Sequence, residues 1–592
     1  MKLNYKRTIK VGLAFAIIML FWTAYDFVIP LLLERAFGLS NSLRGVVMGI
    51  DNVLSLFLLP IFGKWSDKIN TKRGKRTPFV LIGTILSVVI MIFVPITAAT
   101  QLKEATALRA DIYAVETEAE FYYSASDGTV YESAEQFYKM MYEAPSNAGY
   151  CDHSYLQLNK IDSEEAYLQI ALRGVKEIEK ESGKYYLVTK EGKSEIDQET
   201  YSLYKDQNAE YQKFVEPGIA VFASEEVNHK ITKVHPERIG IYLAVLFLVL
   251  VAMASFRSPA VALMPDVTPK PLRSQANAMI NLMGGIGGAL AFVIYTVGFV
   301  LAESPFTQIF AVCAAAMVAI LVAFLLLVNE PKYVEDCRRE CAENGISNDD
   351  EAEEIHLDKK EEEKESEEDA SLSPEELALN KLKHERAFKR SFFFILASTF
   401  MWFMGYNAIS SNLSVYCTKV LNQSAAVASV ISGVSMAVSA IAFIPVGILA
   451  VKIGRRKSVL LGFALSVVSF VLVFLFVRPD HLAKYLFAIF YLISGFGLII
   501  TNVNTFPMVL ELSSSSSVGK YTGYYYISTM SAQAITPFIS GLVMDKLPDQ
   551  YLFLYSAICV AIAFVFMFFT RYGDSKPIPA ASALEYLGAG DD

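Results

Sequence analysis

Two carboxylates, Asp26 and Asp51, stand inside long apolar stretches of the 592-residue chain. An ionisable group in such a setting is costly to keep, and functional use is its default explanation. Asp26 falls eight residues before Glu34, and Asp51 nine residues after Ser42. On antiparallel neighbouring helices with 1.5 Å rise per residue, both lie about 12 Å below one surface and could face one cavity. A carboxyl group there can take up a proton and pass it on. Around them are groups suited to a polar ligand with an apolar face, which needs hydrogen-bond partners and an aromatic ring. Trp22 and Tyr25 precede Asp26, and Asn52 adjoins Asp51. Asn277 and Asn281 lie one helical turn apart on a single face. Trp402, Tyr406, Asn407, Ser411 and Asn412 form a cluster, and Asn502 and Asn504 mark a later run. For any one Asn, hydrogen bonding between helices is an equally good explanation. The presence of such residues in both halves of the chain favours a central site.

The elements that position these residues are membrane helices. Hydrophobic residues make up 53% of the chain and aromatic ones 12%, with a mean hydropathy of +0.37. Soluble domains do not reach that average while also carrying two strongly charged segments. Crossing a bilayer as a helix takes roughly 20 apolar residues. Runs of that kind start near Val11, Leu43, Phe79, Ile239, Ala276, Thr307, Phe392, Val427, Ser458, Leu482, Tyr521 and Leu552, twelve in all. The expected fold class is an all-α membrane protein whose twelve transmembrane helices form two six-helix pseudo-repeats, with a small α+β insertion between helices three and four. The first run lacks an A-x-A-like cleavage site and is read as a retained helix. Lys and Arg concentrate before the first helix, between the second and third (Lys64 to Arg76), after the fourth (Arg257, Lys270, Arg273), before the seventh and between the eighth and ninth (Lys452 to Lys457). Those loops share one side, so both termini are expected in the cytoplasm of a cell bounded by this plasma membrane. The six cysteines show neither a disulfide framework nor metal spacing.

In the expected organisation, residues 1–100 hold helices one to three, 101–237 an extracellular domain, 238–328 helices four to six, 329–388 an acidic cytoplasmic linker, 389–572 helices seven to twelve and 573–592 a cytoplasmic tail. Segment 101–237 carries 26 acidic and 14 basic residues and many tyrosines. Two of its passages are alike. Tyr122 to Gly128 leads into a helix-like stretch from Glu132 to Tyr142, and Tyr185 to Gly192 into another from Gln198 to Phe214. Asp127-Gly128 and Glu191-Gly192 between aromatic runs predict hairpin turns. In the linker the acids come in blocks, Asp349 to Glu354 and Glu361 to Asp369, as solvated like-charge tracts do.

Two short basic stretches look like copies of one device. One runs Gly63, Asp67, Lys68 and on to Arg73, Gly74, Lys75 and Arg76; the other runs Gly447, Lys452, Gly454, Arg455, Arg456 and Lys457. They are 384 residues apart, or 187 without the two insertions. At ~30 residues per helix and loop, that is about six helices. This loop pattern, Gly, three residues, Asp, Arg or Lys, one residue, Gly and two bases, resembles the signature of the major facilitator superfamily. The first copy is expanded and the second has Val451 in the acid's place. The expansion, with Pro78 and Leu81-Ile82-Gly83-Thr84 after it, resembles the glycoside–pentoside–hexuronide:cation symporters and the sucrose-transporter group. So do Gly38-Leu39-Ser40 through Pro60, and Ser258-Pro259-Ala260 through Asp266. In that alignment the two second-helix acids that bind sodium fall on Ser55 and Leu59, and the sucrose-group arginine falls on Val261. A site of carbonyls and hydroxyls alone is a poor sodium cage, so the resemblance points to protons.

The resemblance implies a secondary transporter working by alternating access, a monomeric symporter that moves a sugar or glycoside with a proton. Asp26 and Asp51 are the expected proton carriers and the Asn-aromatic cluster the substrate site. The basic loops with Asp266, Arg273, Glu511 and Lys520 form a cytoplasmic gate by the same expectation; anchoring of the topology by positive charge explains them equally well. No P-loop and no Ser-His-Asp or metal constellation is present among six histidines. Neither ATP-driven transport nor catalysis, a metal, a cofactor nor nucleic acid is therefore expected. Proton-driven efflux of an amphiphile and a membrane sensor with an outer ligand-binding domain are the alternatives.

Overall fold

Eleven helices long and apolar enough to cross a membrane occur among the described residues. The computed structural model describes residues 3–114, 122–145, 148–181, 183–189, 192–269, 272–301, 305–344, 374–421, 452–477, 483–510 and 518–572, with isolated positions between 423 and 449 and at 512. In the first half the spans are α1 (Tyr5–Phe37), α2 (Asn41–Lys68), α3 (Thr77–Tyr113), α9 (Pro236–Asp266), α10 (Arg273–Leu301) and α11 (Pro305–Leu327). In the second half they are α13 (Pro374–Val415), α14 (Arg455–Phe476), α15 (Ala483–Leu510), α16 (Val518–Lys546) and α17 (Tyr551–Phe568). Of the run starting at Val427, only Val427–Ile431, Gly433, Val446 and Leu449 are described, and residues 573–592 lie outside the described residues.

Proline stays inside several of these helices, at Pro30, Pro60, Pro95 and Pro259. Neighbouring helices make good the lost hydrogen bond, so a proline need not end a membrane helix. Within the first half α1 packs on α10 and α3 on α9; within the second, α14 packs on α15 and α13 on α17.

The halves meet most closely where α2 crosses α16. A Cβ at Gly45 would collide with the Pro537 carbonyl, and one at Gly541 with the backbone of Asn41 and Ser42. Small residues allow this approach, as in other membrane-helix contacts. Asp545 of α16 then caps α2 from across the boundary, accepting from the backbone N–H of Asn41 at 2.7 Å and of Ser42 at 2.9 Å. These are two of the four donors that a helix start leaves unpaired, and the carboxylate suits the positive end of the helix dipole. Asp549 accepts from the Asn41 side chain at 3.2 Å and lies 3.7 Å from Lys419. This end of the bundle is shut.

The inserted segment sits on the same end. Its two expected hairpins form. β1 (Tyr123–Ser124) pairs with β2 (Val130–Tyr131), and β4 (Lys184–Thr189) pairs with β5 (Gly192–Ile196), with β3 (Ile178–Glu181) on the other edge of β4. Each hairpin leads into its expected helix, α4 (Ala134–Glu143) or α7 (Gln198–Phe214). Also present are α5 (His153–Leu158), α6 (Glu164–Arg173) and α8 (Glu216–Val227). Phe137, Tyr138, Tyr167, Tyr211 and Ile219 fill a core separate from that of the bundle. The segment is rooted in the first half: Arg109 and Ser224 both reach Glu34 of α1, at 3.0 and 2.5 Å, and Gln101 donates to Thr232 at 2.8 Å.

At the opposite end, the start of the linker is not loose. α12 (Glu330–Glu343) docks on the first half, with Glu330 2% exposed. The Glu330 carboxylate accepts from the N–H of Lys75 (2.6 Å), Arg76 (2.9 Å) and Thr77 (2.7 Å) and from the Thr77 hydroxyl (2.8 Å), which caps α3. Gly74 has φ +104° and lies against that carboxylate, so both conformation and space require glycine. The acid blocks of the linker lie outside the described residues.

Two outcomes are expected. Glu330→Ala removes the acceptor of the Lys75, Arg76 and Thr77 N–H groups at the start of α3, the last two of them buried, a loss of about 1–3 kcal/mol for each buried donor. A thermal melt of purified protein should fall by several degrees, whereas Glu335→Ala on the exposed side of α12 should leave it unchanged. In the inserted domain, Glu226 accepts from Tyr123 (2.7 Å) and Ser126 (2.6 Å) and lies 3.1 Å from Lys230. Burial pushes this carboxyl up, but hydrogen bonds from Ser126 and Tyr123 and the Lys230 ammonium outweigh it and hold it below its ordinary value. Its stabilisation is therefore complete above the ordinary carboxylate range, about pH 4–5, and fades as pH falls through the depressed value. Limited proteolysis against pH should show the domain opening below that range, and Glu226→Gln should flatten the dependence.

Candidate functional site

α1 and α2 run antiparallel through a short turn at residues 38–40. Asp26 lies eleven residues before the end of α1 and Asp51 ten after the start of α2, so both are roughly 15 Å in from the closed end. They interact electrostatically. Asp26 is exposed although its neighbours Tyr25 and Phe27 are 2% and 5% exposed, so it opens onto a space inside the bundle. Asn52 donates to Asp51 at 3.0 Å.

The counter-charge comes from Arg257. Its guanidinium lies 5.3 Å from the Trp22 ring centroid and within electrostatic reach of both carboxylates. This corrects the sequence reading, which placed Arg257 in a loop after the fourth helix. α9 carries on through Pro259 to Asp266 and holds Arg257 inside. Fully ionised, the trio has a net charge of −1, and one bound proton brings it to zero. Trp22 and Tyr25 pack edge to face at 5.4 Å. The Trp22 Nε1 and Tyr25 Oη have no hydrogen-bond partner among the described residues. A buried donor left unpaired is costly, so both are available to a ligand.

In the second half, Trp402 is buried and stacks on Tyr406 at 6.2 Å. Tyr406 hydrogen-bonds Tyr491 of α15, and the Asn407 Nδ2 has no partner among the described residues. Tyr491 lies within electrostatic reach of Tyr295 on α10, whose ring stacks on Phe27 at 4.6 Å. A line of aromatic rings thus runs from the residue beside Asp26 to Trp402, across the boundary between halves. Thr296 and Ser429 share a hydrogen bond of 2.7 Å on the same boundary.

Other expected residues fall elsewhere. Asn412 is buried and spends its amide on the Ala408 carbonyl (2.9 Å) and the Ser540 hydroxyl (3.1 Å), so it serves helix packing. Asn504 likewise donates to the Ile500 carbonyl at 2.7 Å. Asn281 and Asn502 are exposed, and Ser411 is half-buried. The side chains of Asn277, Arg273, Glu511 and Lys520 lie outside the described residues.

The basic loops bind within their own halves. Arg76 meets Asp67 at 2.6 Å and Asp266 at 2.7 Å, and hydrogen-bonds Ser66. Burial alone would weaken its charge, but Asp266 and Asp67 outweigh this and hold it more firmly protonated. Gly63 approaches Ser258, and Lys68, Arg73 and Lys75 are exposed. In the second copy Lys452 is exposed, Gly454 has φ +91°, Arg455 is half-buried and Arg456 donates to the Met567 and Phe568 carbonyls at the end of α17. A cation there suits the negative end of that helix. Gly447, Ile448, Ala450 and Val451 lie outside the described residues.

A polar, charge-compensated site between two helical halves, with one end closed, is a transport architecture. The family profile described as Major Facilitator Superfamily matches residues 234–432 and 395–587, and the one described as MFS/sugar transport protein matches 11–110. The chain belongs to the major facilitator superfamily. It is a multi-pass membrane transporter, not an enzyme. Proton-associated sugar transporter A from Homo sapiens and from Mus musculus is 40% identical to it over 60 residues, 10% of this chain and 8% of the relative. The chain therefore matches only a small part of those relatives' length. Among solved structures, the inward-open xylose transporter XylE from E. coli superposes with a TM-score of 0.50 at 10% identity, covering 98% of each chain. A bacterial homologue of the iron transporter ferroportin in its inward-facing state gives 0.50 at 13% identity, over 96% of this chain and 99% of that one. At those identities the likeness concerns the fold alone.

Sequence reasoning missed Arg257, Tyr295 and Tyr491 as site residues. Arg257 carried a readable signal, a charge within a turn of apolar residues on both sides; the tyrosines carried none. Arg257→Gln leaves two neighbouring carboxylates without a counter-charge. Transport in proteoliposomes should fall more than about tenfold, the scale expected for losing a buried charge partner. Adding Asp51→Asn should restore part of it.

Proposed function

We propose that this transporter is a proton-coupled symporter of a sugar or glycoside, working by alternating access across the plasma membrane with its termini in the cytoplasm. The observation that carries the reading is the Asp26–Asp51–Arg257 trio, open to an internal space and joined through Phe27, Tyr295 and Tyr491 to the aromatic groups of the other half.

The coupling comes from the charges. With both acids ionised, Arg257 is drawn to them and the site holds one uncompensated negative charge. A proton on Asp26 or Asp51 cancels that charge, frees the guanidinium and leaves a carboxyl group that can both donate and accept. A neutral polyol then finds donors in Trp22, Tyr25, Arg257 and Asn407, acceptors in the carboxyls, and ring faces in Trp22, Trp402 and Tyr406 for its C–H surface. A neutral, loaded site crosses the apolar phase of the cycle more cheaply than a charged one.

The same charges support the choice of proton over sodium. Ser55 and Leu59 supply no carboxylate, and Arg257 occupies the space beside Asp51 with a positive charge of its own. The name of the matched relative, a proton-associated sugar transporter, agrees with this reading. The basic loops, bound within each half by Arg76 and Arg456, would let each half rock as a rigid body. Asp67, Lys68 and their neighbours would meet the other half only when the cytoplasmic end closes.

Uptake of radiolabelled sugars into proteoliposomes, with and without an imposed pH gradient, tests the proposal. Gradient-driven accumulation is expected for the wild type. Asp26→Asn should abolish accumulation yet retain equilibrium exchange of the same sugar. Gradient-driven uptake that survives Asp26→Asn unchanged would make Asp26 a structural residue.

A further inference from the structure

Between the inserted domain and the closed end of the bundle lies a cavity of about 590 Å³, within the size range of small-molecule sites. Three bodies build its walls. The first half supplies the junction of α1 and α2, with Glu34 and Asn41; the inserted domain supplies Tyr150, Asp152, Lys213 and Phe214; the second half supplies Lys419, Asp549 and Gln550. Asp152 accepts from Gln550 at 2.7 Å and so ties the domain to the second half. Through Ser224 and Arg109 the same domain is fixed to the first.

The lining selects the ligand by charge. An anion would face the carboxylates Glu34, Asp152, Glu225, Asp545 and Asp549; a cation would face Lys213, Lys233 and Lys419. Glu34 is paired with Arg109, Asp549 with Lys419, and Asp545 with the start of α2, which leaves Asp152 and Glu225 against Lys213 and Lys233, so a neutral molecule rich in hydroxyls meets both donors and acceptors there. It also meets ring faces. Tyr155 and Phe214 line the cavity, and the Lys213 ammonium is held over both, 5.3 and 4.8 Å from their centroids, with Asn159 at 2.9 Å.

We propose that this cavity is a second binding site, for a small neutral polyhydroxylated molecule, and that its occupant holds the inserted-domain end shut. The walls belong to both halves, so the site exists only while α2 and α16 stay together. A ligand that binds one state alone shifts the balance toward it by a factor of 1 + [L]/Kd, about elevenfold at ten times Kd. The effect on closure rests on the alternating access proposed above; binding does not.

The test uses the full chain in nanodiscs with spin labels at Val46→Cys of α2 and Phe538→Cys of α16, positions 46% and 41% exposed and outside the cavity lining. The native cysteines are all buried. The probes are sucrose, trehalose and sorbitol, with calorimetry alongside. At least one probe should raise the population of the short label distance. The effect should persist in Asp26→Asn/Arg257→Gln, where the central site is crippled. It should weaken at least tenfold in Lys213→Met and in Gln550→Ala, two variants whose thermal melts are compared with the wild type. No binding or shift with any probe, an unchanged effect in both cavity variants, or loss in the central-site variant would each overturn the proposal. Binding that depends on Lys213 while the label distance never moves would confirm the site and overturn the rocking of the halves.

Discussion

The carboxylate of Asp545 rests on the first turn of α2, and through that contact one half of the molecule completes a helix of the other. A helix start has four unpaired donors and a positive end, so removing a partner supplied from outside is not neutral. Gly45 and Gly541 bring the backbones together closely enough for it to happen. Much else in the molecule hangs on this contact. The closure of this end, the depth of Asp26 and Asp51 beneath it, and the cavity under the inserted domain all require α2 to lie against α16. Opening must expose those donors to water or to another acceptor, which makes the contact a two-state element and not a gradual hinge.

Below the closure the problem is electrostatic. Two acids in an apolar setting would repel each other and resist desolvation; one guanidinium within electrostatic reach of both removes part of that difficulty. The remaining single negative charge is the one that a proton would cancel in the proposed coupling. The end that carries the basic loops is built the opposite way. Arg76 with Asp67 and Asp266, and Glu330 with the start of α3, satisfy each charge within one half, so those parts can move as units.

Most of the fold was legible from the chain. Membrane-length apolar runs announce themselves, and eleven of the twelve coincide with observed spans; of the one starting at Val427, little beyond Val427–Ile431 is among the described residues. Both hairpins of the insertion were readable because Asp127-Gly128 and the Gly192 turn sit between aromatic strands. Asp26 and Asp51 stood out because a charge in an apolar run is rare. What could not be read was anything that one half supplies to the other. Asp545 and Asp549 sit five hundred residues from the helix they serve, and no local pattern marks them. Tyr295 and Tyr491 look like ordinary aromatic residues of membrane helices. Arg257 was misplaced because a base among apolar residues reads as the edge of a helix, and Glu330 because an acid at the edge of an acidic tract looks solvated.

α3 passes from the membrane into the insertion without a break, Thr77 to Tyr113, about 55 Å at 1.5 Å per residue. With Arg238 clasping Glu104 at 2.6 Å beside it, the extramembrane part has no hinge at that root. Whatever tilt the first half undergoes is carried out of the bilayer as displacement of the domain's far surface. Force can run the other way along the same rod. A partner that grips the domain would press on the helices of the first half without entering the membrane.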